Sequence, residues 1–356
     1  MAFLNFLILF LQDSRSFFSN YFSEQPLLMY AVLGLQFLLL LITISFRGFT
    51  IPKTTFLLLI FIPLYLVNKL ALHCVFVVLN IINIKNLSFH KVVKYVLFIH
   101  ILFLLFAMLA LVSGISHDTV WNMPKGSAHT LGFRNPNGTS MFLNDCILLV
   151  SFYMILREKS LIKNLLLLLP AYAVFKITYG RTYFLGMIAY FFFLSIFQLR
   201  FFYKHNYGLY RIVPIILGAL LIVGIQLYEN FPLLDVFFSS RLSMSKAVIE
   251  GFSHLNYIIG SSYVPKGMTV DSSYLFLLCE SGIFSIGTFL LLYWRFIKKI
   301  TLPEAKVFFP FVFCMLVMGV SEITFPVFSS MTAIFYKILY QTAIKKNRSE
   351  NLLCVK

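Results

Sequence analysis

The hydrophobic pattern divides the chain into apolar runs of about 17 to 25 residues, separated by short polar stretches. Such runs are typical of transmembrane helices, because a helix needs about 20 apolar residues to cross the hydrocarbon core of a bilayer. Outer-membrane barrels instead show short segments that alternate between apolar and polar residues. We therefore predict an all-α polytopic membrane protein.

The runs predict twelve spans in a single membrane domain that covers residues 1–356. They lie near residues 2–11, 27–46, 54–67, 70–84, 93–114, 138–156, 163–179, 182–199, 212–228, 273–293, 306–322 and 327–344. The number falls to eleven if the two runs separated by Asn68 and Lys69 form one long tilted helix. No internal repeat or linker divides the sequence.

The basic residues set the predicted orientation. The chain has 29 Lys and Arg against 13 Asp and Glu, a formal charge of +16. With the N-terminus inside, 19 of the 29 basic residues fall in inner segments, as cytoplasmic loops require. Topology thus explains the charge without nucleic acid, and both termini are predicted to be cytoplasmic. The apolar N-terminus lacks the basic region and cleavage site of a removable signal peptide.

Two long polar segments are predicted on the outer face. Residues 117–139 precede the sixth span, and residues 229–272 separate the ninth span from the tenth. In the second segment, Leu242, Val248, Ile249 and Phe252 recur at roughly helical spacing, which indicates an ordered amphipathic piece. Long loops are usually functional or disordered, so we expect this one to contribute to an active site.

Two arginines stand at predicted outer turns. The segment HTLGFRNPNGTS, residues 129–140, has turn-forming pairs that would present Arg134, Asn135 and Asn137 at the surface; a plain turn into the next helix explains it equally well. Tyr179-Gly180-Arg181-Thr182 separates two apolar runs with almost no loop. There Arg181 is placed to bind a lipid phosphate. Snorkelling toward headgroups is the alternative.

The loop of residues 229–272 contributes a third arginine. Ser240 is predicted to cap a helix with Arg241 in its first turn, where a cation opposes the helix dipole and suggests an anionic ligand. Lys246 and Lys266 would extend this basic cluster.

Two carboxylates follow the loop. Asp271 stands at the entry to the tenth span, and Glu280 comes nine residues later, on the opposite face of a straight helix. They are therefore not expected to act as a pair. We predict instead that Glu280, with Ser281 and Gly282, makes an interhelical hydrogen-bonding contact.

The remaining residue types argue against several classes of site. The five cysteines and seven histidines show no metal-ligand spacing, so no metal is expected. Among the histidines, we take only His129 and His254, both on outer loops, as candidate bases. Phosphate-loop and hydrolase motifs are absent.

The motifs LGFRNPNGTS, YGRTYFLGM, SSRLSMSKAVIEGF and VDSSYLFLLCESGIFSIGTFLLLY, in this order and placement, resemble the Wzy-type polysaccharide polymerases, a family related to the O-antigen ligases. The resemblance implies a GT-C-like glycosyltransferase on the outer face of a bacterial cytoplasmic membrane. It would join polyprenyl-diphosphate-linked oligosaccharide repeat units into a capsular, exopolysaccharide or O-antigen chain without a cofactor. Besides the lipid bilayer, a chain-length regulator and a flippase of the same pathway are implied partners.

The resemblance also implies roles for individual residues. Arg181 and Arg241 match arginines that hold the donor diphosphate, and Asp271 and Tyr274 match a polar-x-x-Tyr element. Many relatives have His-Asn where this chain has Asp271-Ser272, which leaves the base open. We therefore take Arg241, Arg181 and Asp271 as catalytic candidates. The candidates for substrate binding are Arg134, Asn135, Asn137, Lys246, Lys266, Tyr274 and His129.

Two other functions compete with the polymerase. A ligase, which passes the finished chain to another acceptor, shares the architecture. A flippase or other transporter would also have about twelve spans, but transporters usually show two similar halves and intramembrane charges along a central path. The sequence shows no such halves.

Overall fold

The structure is a computed structural model. It describes residues 6–7, 9–11, 13–14, 17, 26–47, 56–84, 87–123, 126–157, 160–199, 207–262, 264–265, 269–324 and 329–344. Within these ranges the regular structure is helical except for one antiparallel hairpin.

The elements follow the predicted runs closely. The first half contains α1 (Pro26–Arg47), α2 (Phe56–Val67), α3 (Leu72–Ile84), α4 (Phe89–Val112), β1 (Val120–Met123), β2 (Gly126–His129), α5 (Pro136–Arg157), α6 (Leu161–Leu165), α7 (Leu168–Thr178) and α8 (Arg181–Ile196). The second half contains α9 (Tyr207–Tyr210), α10 (Val213–Leu227), α11 (Pro232–Phe237), α12 (Arg241–Glu250), α13 (His254–Ile259), α14 (Ser273–Ser281), α15 (Ile283–Lys299), α16 (Leu302–Met318) and α17 (Ser330–Ile344).

Three helical segments of the described chain are long and apolar enough to cross a membrane: α4, α5 and the continuous stretch Leu161–Thr178. Shorter apolar helices include α2, α8 and α10. The helical content and these segments are consistent with the predicted all-α membrane protein. The number of spans stays a prediction.

The two runs around Asn68 form two helices, so the alternative of one long tilted helix is wrong. Asn68 adopts an extended conformation (φ −134°, ψ 109°), and its side chain accepts a hydrogen bond from the Leu70 amide. Its Nδ2 donates to the carbonyl oxygens of Cys279 (2.6 Å) and Glu280 (2.9 Å). Asn68 therefore both ends α2 and ties this turn to α14.

The predicted tenth span is also broken, because the chain turns sharply at Gly282 (φ 57°, ψ −135°) between α14 and α15. Asp271 lies before α14 rather than within a straight helix, so the predicted angle between Asp271 and Glu280 does not apply. The Glu280 side chain is buried and accepts a hydrogen bond from Cys74 Sγ (3.4 Å) on α3. The interhelical contact predicted for Glu280 is confirmed.

Helix α16 is the centre of the bundle. Every residue from Val307 to Leu316 is buried, and the helix packs against α5, α8, α10 and α17. Aromatic rings fill one side of it, with Phe197 of α8's C-terminal turn stacked against Phe313 and tilted against Phe309. Because α16 is held along its length, the segment that follows Met318 starts from a well-defined position.

Lys337 shows how a charge is accommodated inside this bundle. Its Nζ donates to the carbonyl oxygens of Ile84 and Leu87 (2.7 Å each) and lies over the ring of Phe89. A cation is favourable at the C-terminal end of α3, where carbonyl groups lack helical partners. Lys337 therefore joins α17 to the end of α3.

The break at Gly282 generates a stability prediction. A Cβ at position 282 would collide with the backbone carbonyl groups of Ile258 and Tyr257, and φ is positive. We expect Gly282→Ala to reduce the free energy of unfolding by at least about 1–3 kcal/mol, because strained backbone and steric overlap add. Thermal unfolding in detergent, followed by circular dichroism, measures this.

Gly287→Ala is the matched control. Gly287 lies in the exposed middle of α15, and a Cβ at this position would have no neighbouring atom within 4 Å. Alanine should therefore stabilise the helix by about 0.5–1 kcal/mol. Equal midpoints for the two variants would contradict the role given to Gly282.

Candidate functional site

The Arg241 guanidinium lies between two carboxylates at the start of α12. Its Nε donates to Asp271 Oδ2 (3.3 Å), its Nη1 to Thr182 Oγ1 (3.1 Å), and its Nη2 to Glu322 Oε1. The side chain is 11% exposed. Each nitrogen of the guanidinium is therefore engaged by a different segment of the protein.

Arg181 lies beside this cluster, and hydrogen bonds join its motif to the motif that contains Arg241. Its Nη2 donates to Ser239 Oγ (2.7 Å), while the next residue, Thr182, accepts from Arg241. The motifs Tyr179-Gly180-Arg181-Thr182 and Ser239-Ser240-Arg241 thus hold each other by two reciprocal hydrogen bonds. Unlike Arg241, Arg181 is exposed, so its remaining N–H groups face outward.

Strained backbone precedes both arginines. Tyr179 (φ 53°), Ser239 (φ 57°) and Ser240 (φ 63°) are left-handed without being glycine. Each such residue costs about 1–2 kcal/mol, and outliers of this kind cluster at functional sites. Among the described residues, the one other non-glycine residue with a positive φ is Leu131 (φ 46°), in the loop that packs beside Arg181.

Asp235 on α11 holds the second of these turns. Its Oδ1 accepts hydrogen bonds from the amides of Leu242 (3.0 Å) and Ser243 (3.1 Å), and its carbonyl accepts from the Ser240 amide (2.8 Å). Ser240 occupies the N-cap position of α12, as predicted, but its side chain makes no capping hydrogen bond. A carboxylate caps the helix instead, which also suits the helix dipole.

Arg241 does begin α12, as predicted, but the negative charge that compensates it comes from the protein itself, through Asp271 and Glu322. The ligand is no longer needed to explain a cation in this first turn.

Glu322 is a site residue that the sequence reasoning missed. It lies after α16, its side chain is 12% exposed, and its carbonyl accepts from Ser273 Oγ (2.8 Å) at the start of α14. Burial raises the pKa of Glu322 to about 7, with Asp271 adding to the rise and Arg241 opposing it. A usable signal existed in the sequence, because Glu322 is the one acidic residue between Glu304 and Glu350.

The first outer loop, residues 117–139, packs against the turn that carries Arg181. Gly126 on β2 touches the Tyr179 hydroxyl with no room for a Cβ, and Gly180 touches Ser140 in the same way. The β hairpin and the start of α5 therefore form a wall beside Arg181.

His129 in this wall is paired with a carboxylate. Its Nδ1 lies 2.5 Å from Asp118 Oδ2, and Asp118 Oδ1 accepts from the Leu131 amide (2.8 Å). Burial would raise the pKa of Asp118, but the hydrogen bonds from His129 and Leu131 lower it overall. The imidazole is 38% exposed, so the pair remains accessible to solvent.

Three other substrate-binding candidates, Arg134, Asn135 and Asn137, lie in the loop of residues 117–139. Asn135 Oδ1 accepts from the Gly138 amide (2.7 Å), so this substrate-binding candidate caps the start of α5. Arg134 and Asn137 are exposed at the surface.

Lys246 and Tyr274 are not part of the Arg241 cluster. Lys246 pairs with Glu229 and with Glu250 (3.6 Å), so it does not extend the predicted basic cluster. The Tyr274 hydroxyl donates to the Leu316 carbonyl (3.3 Å) on α16. Lys266 lies outside the described residues. No group of three or more His, Cys, Asp or Glu side chains is placed to hold a metal ion in the described part of the chain.

No protein-family model, curated protein or solved structure matches the chain.

The raised pKa of Glu322 generates a pH prediction. The folded carboxyl binds its proton more tightly than an ordinary glutamate, whose pKa is 4.5. Below about pH 4.5, the protonated Glu322 carboxyl therefore makes its full contribution to the free energy of unfolding, at most about 3 kcal/mol. This contribution is lost as the pH rises through about 7. Thermal unfolding from about pH 5 to about pH 8 should show a falling midpoint that Glu322→Gln flattens.

Glu250→Gln is the matched control, because Glu250 is a 64% exposed carboxylate on α12. The thermal-unfolding midpoint of Glu250→Gln should fall with pH as steeply as that of the parent protein. An equal flattening by both substitutions would mean that Glu322 is not the titrating group.

Proposed function

We propose that the protein is a membrane glycosyltransferase that polymerises polyprenyl-diphosphate-linked oligosaccharide repeat units. The observation that carries the proposal is the pair of reciprocal hydrogen bonds, Arg181 to Ser239 and Arg241 to Thr182. Two arginine motifs that lie far apart in the chain come together with two carboxylates. Cations can stabilise a diphosphate leaving group and a carboxylate can accept the proton of a sugar hydroxyl, so this combination supports the proposal.

The proposed topology has about twelve spans, a GT-C-like arrangement and cytoplasmic termini. In it, the start of α8, the start of α14 and the end of α16 face the outside, and the Arg241 cluster lies among them. The basic end of α15, with Lys298 and Lys299, would then face the cytoplasm, in agreement with the positive-inside rule.

The two arginines have different roles in this proposal. Arg181 is exposed and keeps N–H groups for the diphosphate, whose oxygens suit a planar guanidinium. Arg241 already bonds Asp271 and Glu322, so its main work is to orient those carboxylates and to supply positive charge nearby. Arg181 thus replaces Arg241 as the residue that contacts the donor most directly.

The reaction joins an acceptor sugar to the donor sugar. The acceptor hydroxyl attacks the anomeric carbon, the bond to the diphosphate oxygen breaks, and the polyprenyl diphosphate leaves with the electron pair. Positive charge that is already in place stabilises this leaving group as it develops. Asp271 or a neighbouring carboxylate receives the hydroxyl hydrogen.

Transport is the second candidate function, and a buried contact between a histidine and an aspartate favours it. His100 Nδ1 lies 3.4 Å from Asp13 Oδ2, with side chains 5% and 6% exposed. His100 lies in the middle of α4, where charged groups are costly and usually functional. The ligase also remains a candidate, because it would use the same cluster.

A reconstitution assay separates these functions. The purified full chain is supplied with one type of polyprenyl-diphosphate-linked repeat unit as both donor and acceptor. We expect a ladder of products. Transfer only to a different lipid acceptor would mean a ligase, and movement of the lipid across vesicles without covalent product would mean a transporter.

The same assay tests the arginine assignment. We expect Arg181→Ala to slow polymerisation by about 100-fold or more, because charge-assisted hydrogen bonds to the leaving group are lost. Lys298→Ala is the control, since Lys298 is exposed at the far end of α15. Normal ladders from Arg181→Ala membranes would overturn the assignment.

A further inference from the structure

Glu322 is the carboxylate that the sequence motifs do not explain, and its surroundings indicate a specific chemical role. We propose that Glu322, rather than Asp271, accepts the proton from the attacking sugar hydroxyl. This inference rests on the proposed glycosyltransferase function and names the base that was left open.

The position of Glu322 is fixed from three sides. Its amide donates to the Met318 carbonyl (2.9 Å), which continues α16. Its own carbonyl accepts from both Ser273 Oγ (2.8 Å) and the Ser273 amide (3.2 Å), which ties it to the start of α14. The side chain then reaches Arg241 on α12. A base held by three helices meets the requirement for preorganised geometry.

The groups that face Glu322 tune its proton affinity. Burial is the largest cause of a pKa near 7. The guanidinium of Arg241 lowers the pKa, the charge of Asp271 raises it, and a hydrogen bond from the Tyr183 hydroxyl lowers it. A general base works best when its pKa lies near the working pH, because it is then both available and basic enough.

Asp271 differs from Glu322 in exposure and in bonding. Its side chain is 29% exposed, compared with 12% for Glu322, and it contacts Nε of Arg241 at 3.3 Å. Water therefore solvates its charge more fully. Asp271 serves to orient Arg241, which in turn orients Glu322.

The ionised Glu322 carboxylate takes the hydroxyl proton while the acceptor oxygen bonds to the anomeric carbon. The bond between that carbon and the diphosphate oxygen breaks, and the electron pair stays with the polyprenyl diphosphate. Glu322 then returns its proton to solvent before the next addition.

The experiment measures polymerisation rate against pH for the full chain and three variants. The parent protein should lose rate as the pH falls below about 7, because Glu322 becomes protonated and cannot act as a base. Glu322→Gln should be slower by about 100-fold and should lack this dependence. Asp271→Asn should be slower and keep a pH dependence, but its profile should move to lower pH, because the Asp271 charge that raises the pKa of Glu322 is lost.

Tyr183→Phe is a conservative variant that tests the assignment even if Glu322→Gln does not fold. It removes the hydrogen bond that lowers the pKa of Glu322. The rate profile should therefore move to higher pH. An unmoved profile would overturn the assignment.

Azide supplies a readout that a purely structural role would not give. It has no proton to lose, so it can attack the anomeric carbon without a base and release the diphosphate. Azide should restore donor cleavage in Glu322→Gln, with a glycosyl azide as product. Two results would reject Glu322 as the base. One is a folded Glu322→Gln variant in which azide does not restore donor cleavage, and the other is a Glu322→Gln variant with the same pH dependence as the parent protein.

The outcome for this inference is separable from that for the proposed function. If the parent protein makes no ladder, the proposed function fails. If it makes a ladder and Glu322→Gln behaves like the parent, the function stands and the base is another group.

Discussion

Burial of the Arg241 guanidinium is the constraint on which the site depends. A cation removed from water is stable only when it is paired and hydrogen-bonded, and removal of one partner from such a group is usually costly. Here the partners are Thr182, Asp271 and Glu322, which come from three separate segments. The starts of α8 and α12, the entry to α14 and the exit from α16 must therefore meet at one point.

The polar loop is ordered by backbone bonding as well as by this charge. Asp235 closes the turn before α12, and left-handed residues at Ser239 and Ser240 aim the helix so that Arg241 points inward. Strain of this kind persists only when the surroundings determine it. The loop is thus a preorganised wall, and the proposed binding of a diphosphate and a sugar hydroxyl would make use of it.

Polar contacts between helices connect the site to the rest of the bundle. Asn68 bonds the carbonyl groups of Cys279 and Glu280 in the last turn of α14, the helix whose first residue bonds Glu322. Within the N-terminal helices, Gln36 bonds Asn80 at 2.6 Å in a buried position. Each such contact is worth roughly 0.6 kcal/mol in membrane helices, so together they specify position more than they add stability. The turn after α2 is therefore tied to the C-terminal end of α14.

The sequence by itself determined the class of protein and most helix positions, because apolar run length reports directly on helices that cross a bilayer. It also identified Arg181 and Arg241, since cations at the borders of apolar runs stand out. Only the tertiary structure decided which residues meet. Glu322 was missed because its neighbours lie far away in the chain, and the Ser240 side chain does not cap α12 because Asp235 competes for the same amides. Lys246 and Asn135 looked like ligand-binding residues by type, yet nearby partners engage them. Such pairings depend on distances between segments, and local pattern carries no information about them.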